Sequence, residues 1–478
     1  MAELNEIVRY SMALENFGVA PCGTDKQKCD EDKRAIEIAG KTIRWIGERY
    51  EVGLPYDDEN VVMERSLGIA FHHLKSVEKR LDRQGLLQRY HENNETYLEK
   101  GYAEELKWAD VNRNLSNLWF LLHFPVLNPH KPEKLRIVFN SAAKSNGKCL
   151  NDYLLPGPPL GTELFGILCR FRKYPVAVGA DIVEMFHQVT IREKDRWSQC
   201  FLWRRSSDEH TGIYRMKAMI FGANWSPFLA QFVKNYNAEQ HSQDFPEARD
   251  EIINQHYVDD YYRSFLNVET ALRICNEVIH VQQLGGFRLR NFISNNQELL
   301  NSLPQDRVIP SSQFDVCNTT VHRILGIQWD AIADQFLFVP NFQNVESDVI
   351  SGKRAPTKRE VLKIAMSLYD PLGFISPLAI KVRILIRYIR KEKISWDDEV
   401  KNDLLKKWLN WLDDLQKVSD IKIPRCILPY SDHVVTLELH TFFDASESAY
   451  SAVVYLRAEL GGQYFVSLLA SKARVTPL

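Results

Sequence analysis

No two of the eight cysteines stand at CxxC spacing, which argues against a zinc site. Their scatter (Cys22, Cys29, Cys149, Cys169, Cys200, Cys275, Cys317, Cys426) fits reduced thiols in an intracellular compartment. No apolar run approaches the roughly 20 residues that a membrane span requires, and the N-terminal sequence MAELNEIVRY lacks the apolar core of a signal peptide. The chain also has little net charge, −2 in all, so only the distribution of charge can point to partners. Nor does it have a disordered composition: 45% hydrophobic and 26% charged residues are the proportions of a folded soluble protein. A cytoplasmic protein without a membrane segment is the expectation, and 478 residues predict roughly two to four structural units.

What the chain does have is Tyr257-Val258-Asp259-Asp260, two adjacent carboxylates inside a run of strand formers. Gln255 to Val258 lead in and Tyr261 to Leu266 lead out, which predicts a β-hairpin with the acidic pair at its tip. Neighbouring carboxylates repel unless a proton or cation neutralises them, and a divalent metal is the obvious candidate. Asp also favours turns for its own reasons, so the dipeptide alone does not decide the matter.

Residues 1 to about 115 show helical spacing in two stretches, Arg34 to Arg49 and Ser66 to Tyr90, and carry no catalytic constellation. His72 and His73 face different directions on such a helix, so a shared metal is not expected. From Asn117 the pattern changes: Trp119 to Val126 and Leu135 to Phe139 predict a hairpin with a basic tip, and Arg136 is suited to bidentate phosphate contact. Leu154 to Leu160 is a turn or rigid connector. Thr162 to Arg172 reads as a short helix and Val176 to Ala180 as a buried strand ending at Asp181, with Phe186 at the start of a helical turn. Asp181 with the hairpin pair would make a three-carboxylate cluster, the kind of site that holds two divalent ions.

After Tyr214 to Phe221, Gly222 opens a loop into a helix from Pro227 to Ala238, with Ser226 as candidate N-cap. Val268 to Gln283 is an amphipathic helix stopping at Gly285-Gly286, Phe287 to Ile293 a strand, and Val321 to Trp329 a strand pair bent at Gly326. Between Gly352 and Ser395 eleven Lys and Arg stand against three acids, which reads as a phosphate-backbone surface or a solvated helix face. Val434 to Phe443 is a strand running into Asp444, followed by two more strand-like runs. The roughly 35 residues of this β-rich start cannot close an independent core, so an incomplete domain is expected.

The Asp181 strand, the Phe221 to Pro227 loop and the YVDD hairpin come in the order and spacing of a reverse transcriptase, and the chain resembles the polymerase region of a BEL/Pao-type LTR retrotransposon polyprotein. GERYEVGLP (47–55), LRIVFNSAAKSNGKCLNDYLLPGPPL (135–160), GGFRLRNFISN (285–295), LGIQWD (325–330), LYDPLGFISP (368–377) and FFDASESAY (442–450) carry the resemblance across nearly the whole chain. It implies an α+β right-hand polymerase. Its parts would be a helical N-terminal connector (1–115), fingers and palm (116–300), thumb (301–400), connection (401–440) and an incomplete RNase H-like start (441–478). It implies that Asp181, Asp259 and Asp260 are catalytic and hold two Mg2+ ions, with Mn2+ a possible substitute. Arg136, Phe186, Phe221 and Gly222 would serve the nucleotide, Phe186 as an aromatic steric gate. Ser226, Pro227, Leu325 and Gly326 would serve template and primer, and Asp444 would match the first acid of a ribonuclease H.

The implied partners are an RNA template, a DNA or tRNA primer and dNTPs, in the cytoplasm or within virus-like particles. Departures from the family pattern are Phe221 where retroviral enzymes have Gln, Asn140 where Asp is usual, and Asn291 where relatives place Lys. If that lysine protonates the leaving pyrophosphate, Arg290 is a poor substitute. No protease or integrase flanks the region, so a fragment or eroded copy is expected. The alternative to an RNA-directed DNA polymerase is a domesticated or decayed copy that binds nucleic acid without catalysis. An RNA-dependent RNA polymerase is disfavoured by Phe186 and by the ribonuclease H start.

Overall fold

The computed structural model describes residues 29–58, 60–111, 115–128, 131–206, 209–309, 321–340, 342, 345–428, 434–460 and 462–476. No helix among them is long and apolar enough to cross a membrane. Among the described residues the fold is mixed α+β, with five sheets and two main cores.

Helix α1 (Asp30–Thr42) opens with three acids at the positive end of its dipole and has Lys41 in its last turn. It ends where β-branched Thr42 and Ile43 meet, and the chain turns into strands β1 (Arg44–Trp45) and β2 (Tyr50–Val52). The helical pattern expected as far as Arg49 therefore stops seven residues early. The second stretch is two helices, α2 (Leu67–Arg83) and α3 (Leu87–Glu99), broken at Gln84-Gly85. His73 is half-buried, its Nε2 3.1 Å from the His123 carbonyl, and no metal cluster surrounds it or any other described residue. Strand β3 (Ala103–Leu106) follows.

The expected hairpin is β4 (Phe120–Asn128) and β5 (Lys131–Asn140), with Arg136 paired across it to Val126. Pro129 and His130 at its tip lie outside the described residues, so the basic tip is not described. After α4 (Leu164–Phe171) come β6 (Val176–Ile182), β7 (Thr190–Ile191), β8 (Cys200–Trp203) and β9 (Gly212–Met216). The first hundred residues are tied into this middle part: β2 pairs in parallel with β7, and β3 is the edge of the sheet β3-β9-β8-β4-β5. One core accordingly runs from Ala35 to Leu303.

Helices α5 (Ser226–Gln240) and α6 (Pro246–Asn254), strands β10 (His256–Tyr257) and β11 (Asp260–Phe265), helix α7 (Val268–Leu284), strand β12 (Leu289–Ser294) and helix α8 (Gln297–Ser302) complete it. Ser226 is not the N-cap of α5. Trp225 already has helical backbone angles, so Ser226 falls inside the helix, and its buried hydroxyl has no partner. The sheet β10-β11-β6-β12 divides the two cores. Val176, Val178, Ala180 and Ile182 of β6 alternate onto the first core while Ala177 enters the second, as strand periodicity demands. Gly179, on that second face, leaves room for Tyr262 opposite: a Cβ there would lie 2.7 Å from the ring.

The second core gathers β13 (Val321–Ile324), β14 (Ile327–Asp330), β15 (Gln335–Leu337), α9 (Ser347–Ile350), α10 (Lys358–Met366), α11 (Ser376–Lys391), α12 (Asn402–Gln416) and β16 (Lys422–Pro424). A long antiparallel sheet of β17 (Val434–Ala445), β18 (Ala449–Leu460) and β19 (Gln463–Val475) lies against α11 through β19. Leu439, Phe442 and Phe443 of β17 are largely exposed.

Candidate active site

Three carboxylates meet at one end of the sheet β10-β11-β6-β12. Asp181 on β6 stands directly opposite Asp260 on β11, and the Ile182 N–H donates to the Asp259 carbonyl at 2.9 Å, which ties β6 to the hairpin tip. The tip turns at Val258 with φ of 57°, a left-handed conformation that is strained for a β-branched residue. Burial, and then repulsion from Asp259 and Asp181, pushes the Asp260 carboxyl up to about 7.

Asp181 is already engaged. Its Oδ1 accepts from Asn291 Nδ2 at 2.5 Å and its Oδ2 from Arg290 Nε at 3.3 Å. Asn291 reaches it from a bulge in β12, at φ of 55°. Among the described residues no three Asp, Glu, His or Cys side chains converge as a finished metal cage. The donor chemistry nevertheless fits a hard divalent cation, since all three groups are carboxylates and the buried one is destabilised for want of positive charge. Each Asp181 oxygen accepts one of these bonds and keeps a lone pair for an ion, with the Arg290 cation competing for the same charge.

The Asp260 shift has a thermodynamic consequence. Below about pH 4 the carboxyl is protonated whether the chain is folded or not; between 4 and about 7 only the unfolded chain ionises freely, so folding stability drops. In metal-free buffer the stability advantage of Asp260→Asn over the parent should therefore grow across that window by on the order of 4 kcal/mol and stay constant above it. If a divalent cation binds the cluster, adding Mg2+ should shrink the difference by stabilising the parent. Denaturant unfolding of both proteins at a series of pH values checks this; an advantage that does not change between pH 4 and 7 would contradict it.

A cavity of about 440 Å3 opens beside the carboxylates, lined by Asp181, Asp259, Arg136, Phe186, Phe221 and Arg290 among others. Arg136 is exposed on β5, and Phe186 comes from a 3-10 turn, Met185–Gln188, shortly after β6. The Phe186 and Phe221 rings lie 4.8 Å apart. Behind them His187 is buried among Tyr97, Tyr102 and Phe221, with neither ring nitrogen partnered, and burial holds it down at about 4, so it is neutral. Phe221 is fixed by the Phe139 N–H, which donates to its carbonyl at 2.9 Å. Gly222 must be glycine: its φ is 105° and a Cβ would lie 2.1 Å from the Phe139 carbonyl oxygen. Asn140, one residue on, uses its side chain to accept from the Ala142 N–H at 3.1 Å.

The remaining expected residues stand elsewhere. Ser226 and the exposed Pro227 begin α5 and do not line the cavity. Leu325 and Gly326 form the tight turn between β13 and β14, where the Leu325 backbone hydrogen-bonds the Tyr262 hydroxyl, two residues past Asp260. Asp444 is exposed on β17 and accepts from its neighbour, the Ala445 N–H at 2.8 Å. Much of the charge in 352–395 is engaged within the chain. Arg354 pairs with Glu346 and Glu360, Arg359 with Asp397 and Lys381 with Asp414, while Arg383 and Arg387 reach the Ala473 carbonyl and Thr476.

Sequence reasoning missed the contribution of the first hundred residues. Asn93 and Tyr97 of α3 line the cavity, and Lys100 holds Glu184, which also lines it. One signal was available: the buried face of α3 carries Tyr90, Asn94 and Tyr97 rather than aliphatic residues.

Residues 357–478, about a quarter of the chain, match the family described as Pao retrotransposon-like RNaseH-like domain. This agrees with the resemblance read from the motifs. Among solved structures, a foamy viral protease-reverse transcriptase dRH in complex with ds DNA is 14% identical at a TM-score of 0.49, with 95% of this chain and 70% of that chain covered. A foamy viral protease-reverse transcriptase in complex with an RNA/DNA hybrid is 15% identical at a TM-score of 0.49, with 98% of this chain covered. The chain spans 52% of the length of the latter. No curated protein sequence matches.

Proposed function

We propose that the chain is the RNA-directed DNA polymerase of an LTR retroelement, a right-hand polymerase that extends a DNA or tRNA primer along an RNA template. The observation that supports this best is the register pairing of Asp181 with the Asp259-Asp260 hairpin at the edge of a cavity that also takes Arg136 and Phe186. Asp181, Asp259 and Asp260 would hold two Mg2+ ions, or Mn2+, which when bound supply charge stabilisation at the reacting phosphate and activate the primer 3′-hydroxyl. The rest falls to the chain. Arg136 is exposed at the cavity and suited to hold a triphosphate through paired N–H donors. The Phe186 ring, braced by Phe221, occupies volume that a ribose 2′-hydroxyl would need. Gly222 keeps that brace joined to the strand carrying Arg136. Ser226, Pro227, Leu325 and Gly326 would meet template and primer, and cations of 352–395 would meet the duplex backbone. Arg290 hardly gives up a proton, so it does not supply an acid to the leaving pyrophosphate. Asp444 is exposed on β17, and degradation of the RNA strand is not part of the proposal.

One observation favours the rival reading, a nucleic-acid-binding chain without catalysis: Asp181 is bound by Arg290 and Asn291. Primer extension on poly(rA)/oligo(dT) with Mg2+ and with Mn2+ separates the two. Extension establishes the polymerase, and tight primer-template binding without extension in either metal establishes the rival.

If Phe186 is the steric gate, Phe186→Val should raise ribonucleotide incorporation by one to two orders of magnitude, since about 1–3 kcal/mol of steric discrimination disappears. The ratio of kcat/KM for dNTP and rNTP measures it, and an unchanged ratio would remove Phe186 from that role.

A further inference from the structure

We propose that the region upstream of the central sheet is part of the nucleotide site, with Lys100 acting as the cation that screens Glu184 from an incoming triphosphate. This rests on the polymerase reading and extends it to a substrate-positioning group outside the three aspartates.

Lys100 caps the C-terminal end of α3, and its Nζ lies 2.8 Å and 3.0 Å from the two carboxylate oxygens of Glu184. The Tyr102 hydroxyl donates to the same carboxylate at 2.8 Å. Glu184 is no ordinary surface acid. It adopts a left-handed conformation, φ 46° and ψ 43°, at the start of the turn that carries Phe186, and it lines the cavity with Asp181 and Asp259. Such strain persists only where surrounding structure fixes it, and here the upstream region does so. Tyr97 and Tyr102 pack on His187 at 5.0 and 4.8 Å, while Arg49 of the GERYEVGLP stretch donates to the His187 carbonyl at 3.3 Å.

Charge then decides the role of Lys100. Three acids line the cavity, Asp181, Glu184 and Asp259, against two cations, Arg136 and Arg290, and Arg290 is bonded to Asp181. Divalent ions would answer for the aspartates. Glu184 is left over, three residues along from Asp181, in a site that must admit a polyanion. Burial raises its carboxyl, but the bonds from Lys100 and Tyr102 more than offset this and hold it below the usual range, so the carboxylate is ionised. Without Lys100 that charge would face the triphosphate unscreened, and like-charge repulsion would weaken binding. Lys100 is 43% exposed and Glu184 34% exposed, so the pair is not in a sealed core: Glu184 lines the cavity and Lys100 holds it from behind.

The test is steady-state extension together with equilibrium binding of Mg·dTTP to the full chain on poly(rA) with a dideoxy-terminated oligo(dT) primer. Lys100→Met should raise the dTTP KM and Kd roughly tenfold, with kcat changed less than about threefold and primer-template Kd unmoved. Lys100→Arg should restore most of the loss. Adding Glu184→Gln to Lys100→Met should bring the KM back to within about threefold of the parent, a rescue that a merely structural salt bridge would not give. An unchanged KM in Lys100→Met, or no rescue by Glu184→Gln, overturns the inference. Should Lys100→Met fail to fold, Glu184→Gln alone decides: its dTTP KM should fall or hold, and a rise refutes the screening role. If the parent chain neither binds Mg·dTTP nor extends a primer, the polymerase reading itself falls and the inference with it. If the parent does both and the variants match it, only the inference falls.

Discussion

Asp259→Asn is expected to abolish primer extension, a loss of roughly a thousandfold or more, while the chain stays folded and keeps its grip on primer-template. Asp259 sits at the tip of the hairpin, partly exposed, and its backbone carbonyl, which the substitution preserves, makes the bond to Ile182 that joins hairpin to sheet. The backbone bond that joins hairpin to sheet is therefore kept. What disappears is one negative charge from a cluster where Asp260 is already burdened by its neighbours. Asn is a neutral donor that cannot balance a second divalent ion. Two readouts keep the outcome unambiguous: extension in Mg2+ and Mn2+, and primer-template affinity by anisotropy. Near-parental extension by Asp259→Asn would end the assignment of the carboxylates. Loss of both extension and affinity would locate the residue in binding rather than in chemistry.

The cluster was legible because its parts are signalled locally. A buried strand ending at Asp181 and a strand-turn-strand run around Asp259-Asp260 each follow from period-2 burial and turn chemistry. Antiparallel pairing then brings them opposite one another. Leu325-Gly326 and the end of α7 at Gly285 were legible for the same reason. Side-chain partners distant in sequence were not. Asn291 could be noticed as a departure, but its bond to Asp181 depends on a bulge in β12 that no local pattern announces. Lys100 and Glu184 are separated by 84 residues, and nothing in either neighbourhood points to the other. Ser226 misled because Ser-Pro before an apolar run is a common helix start, whereas here Trp225 is already helical and the serine hydroxyl is enclosed. The basic stretch 352–395 misled in degree. Its positive excess is real, but Glu346, Asp397 and Asp414, which answer part of it, lie just outside the window or on a facing helix.

Arg425→Met should destabilise the chain by about 3–5 kcal/mol, the usual cost of removing one member of a buried, fully bonded ion pair. Arg425 is fully buried, and its guanidinium donates to both carboxylate oxygens of Asp334 at 2.6 and 2.7 Å and to the carbonyls of Phe171, Tyr174 and Pro175 at 2.7 to 2.8 Å. Those carbonyls end α4 and lead into β6, the strand that carries Asp181. Arg172, 1% exposed, returns the connection from the other side: it donates to the Leu468 and Leu469 carbonyls of β19 at 2.9 and 2.7 Å and lies 4.7 Å from the Phe374 ring. Burial holds Arg172 down to about 10, so it remains cationic at neutral pH. Two arginines thus fasten the strand under the carboxylates to β16 and β19, through partners roughly 250 to 300 residues away in sequence. Methionine fills similar volume but leaves three carbonyls without their donor and Asp334 without its cation. Asp334→Asn in the Arg425→Met background should recover about 1–2 kcal/mol, because the stranded charge is gone while the carbonyls stay unpaired. Guanidinium unfolding of the two variants measures both numbers. A cost below about 1 kcal/mol for Arg425→Met would mean that water reaches the guanidinium and that the ion pair adds little to the packing around it.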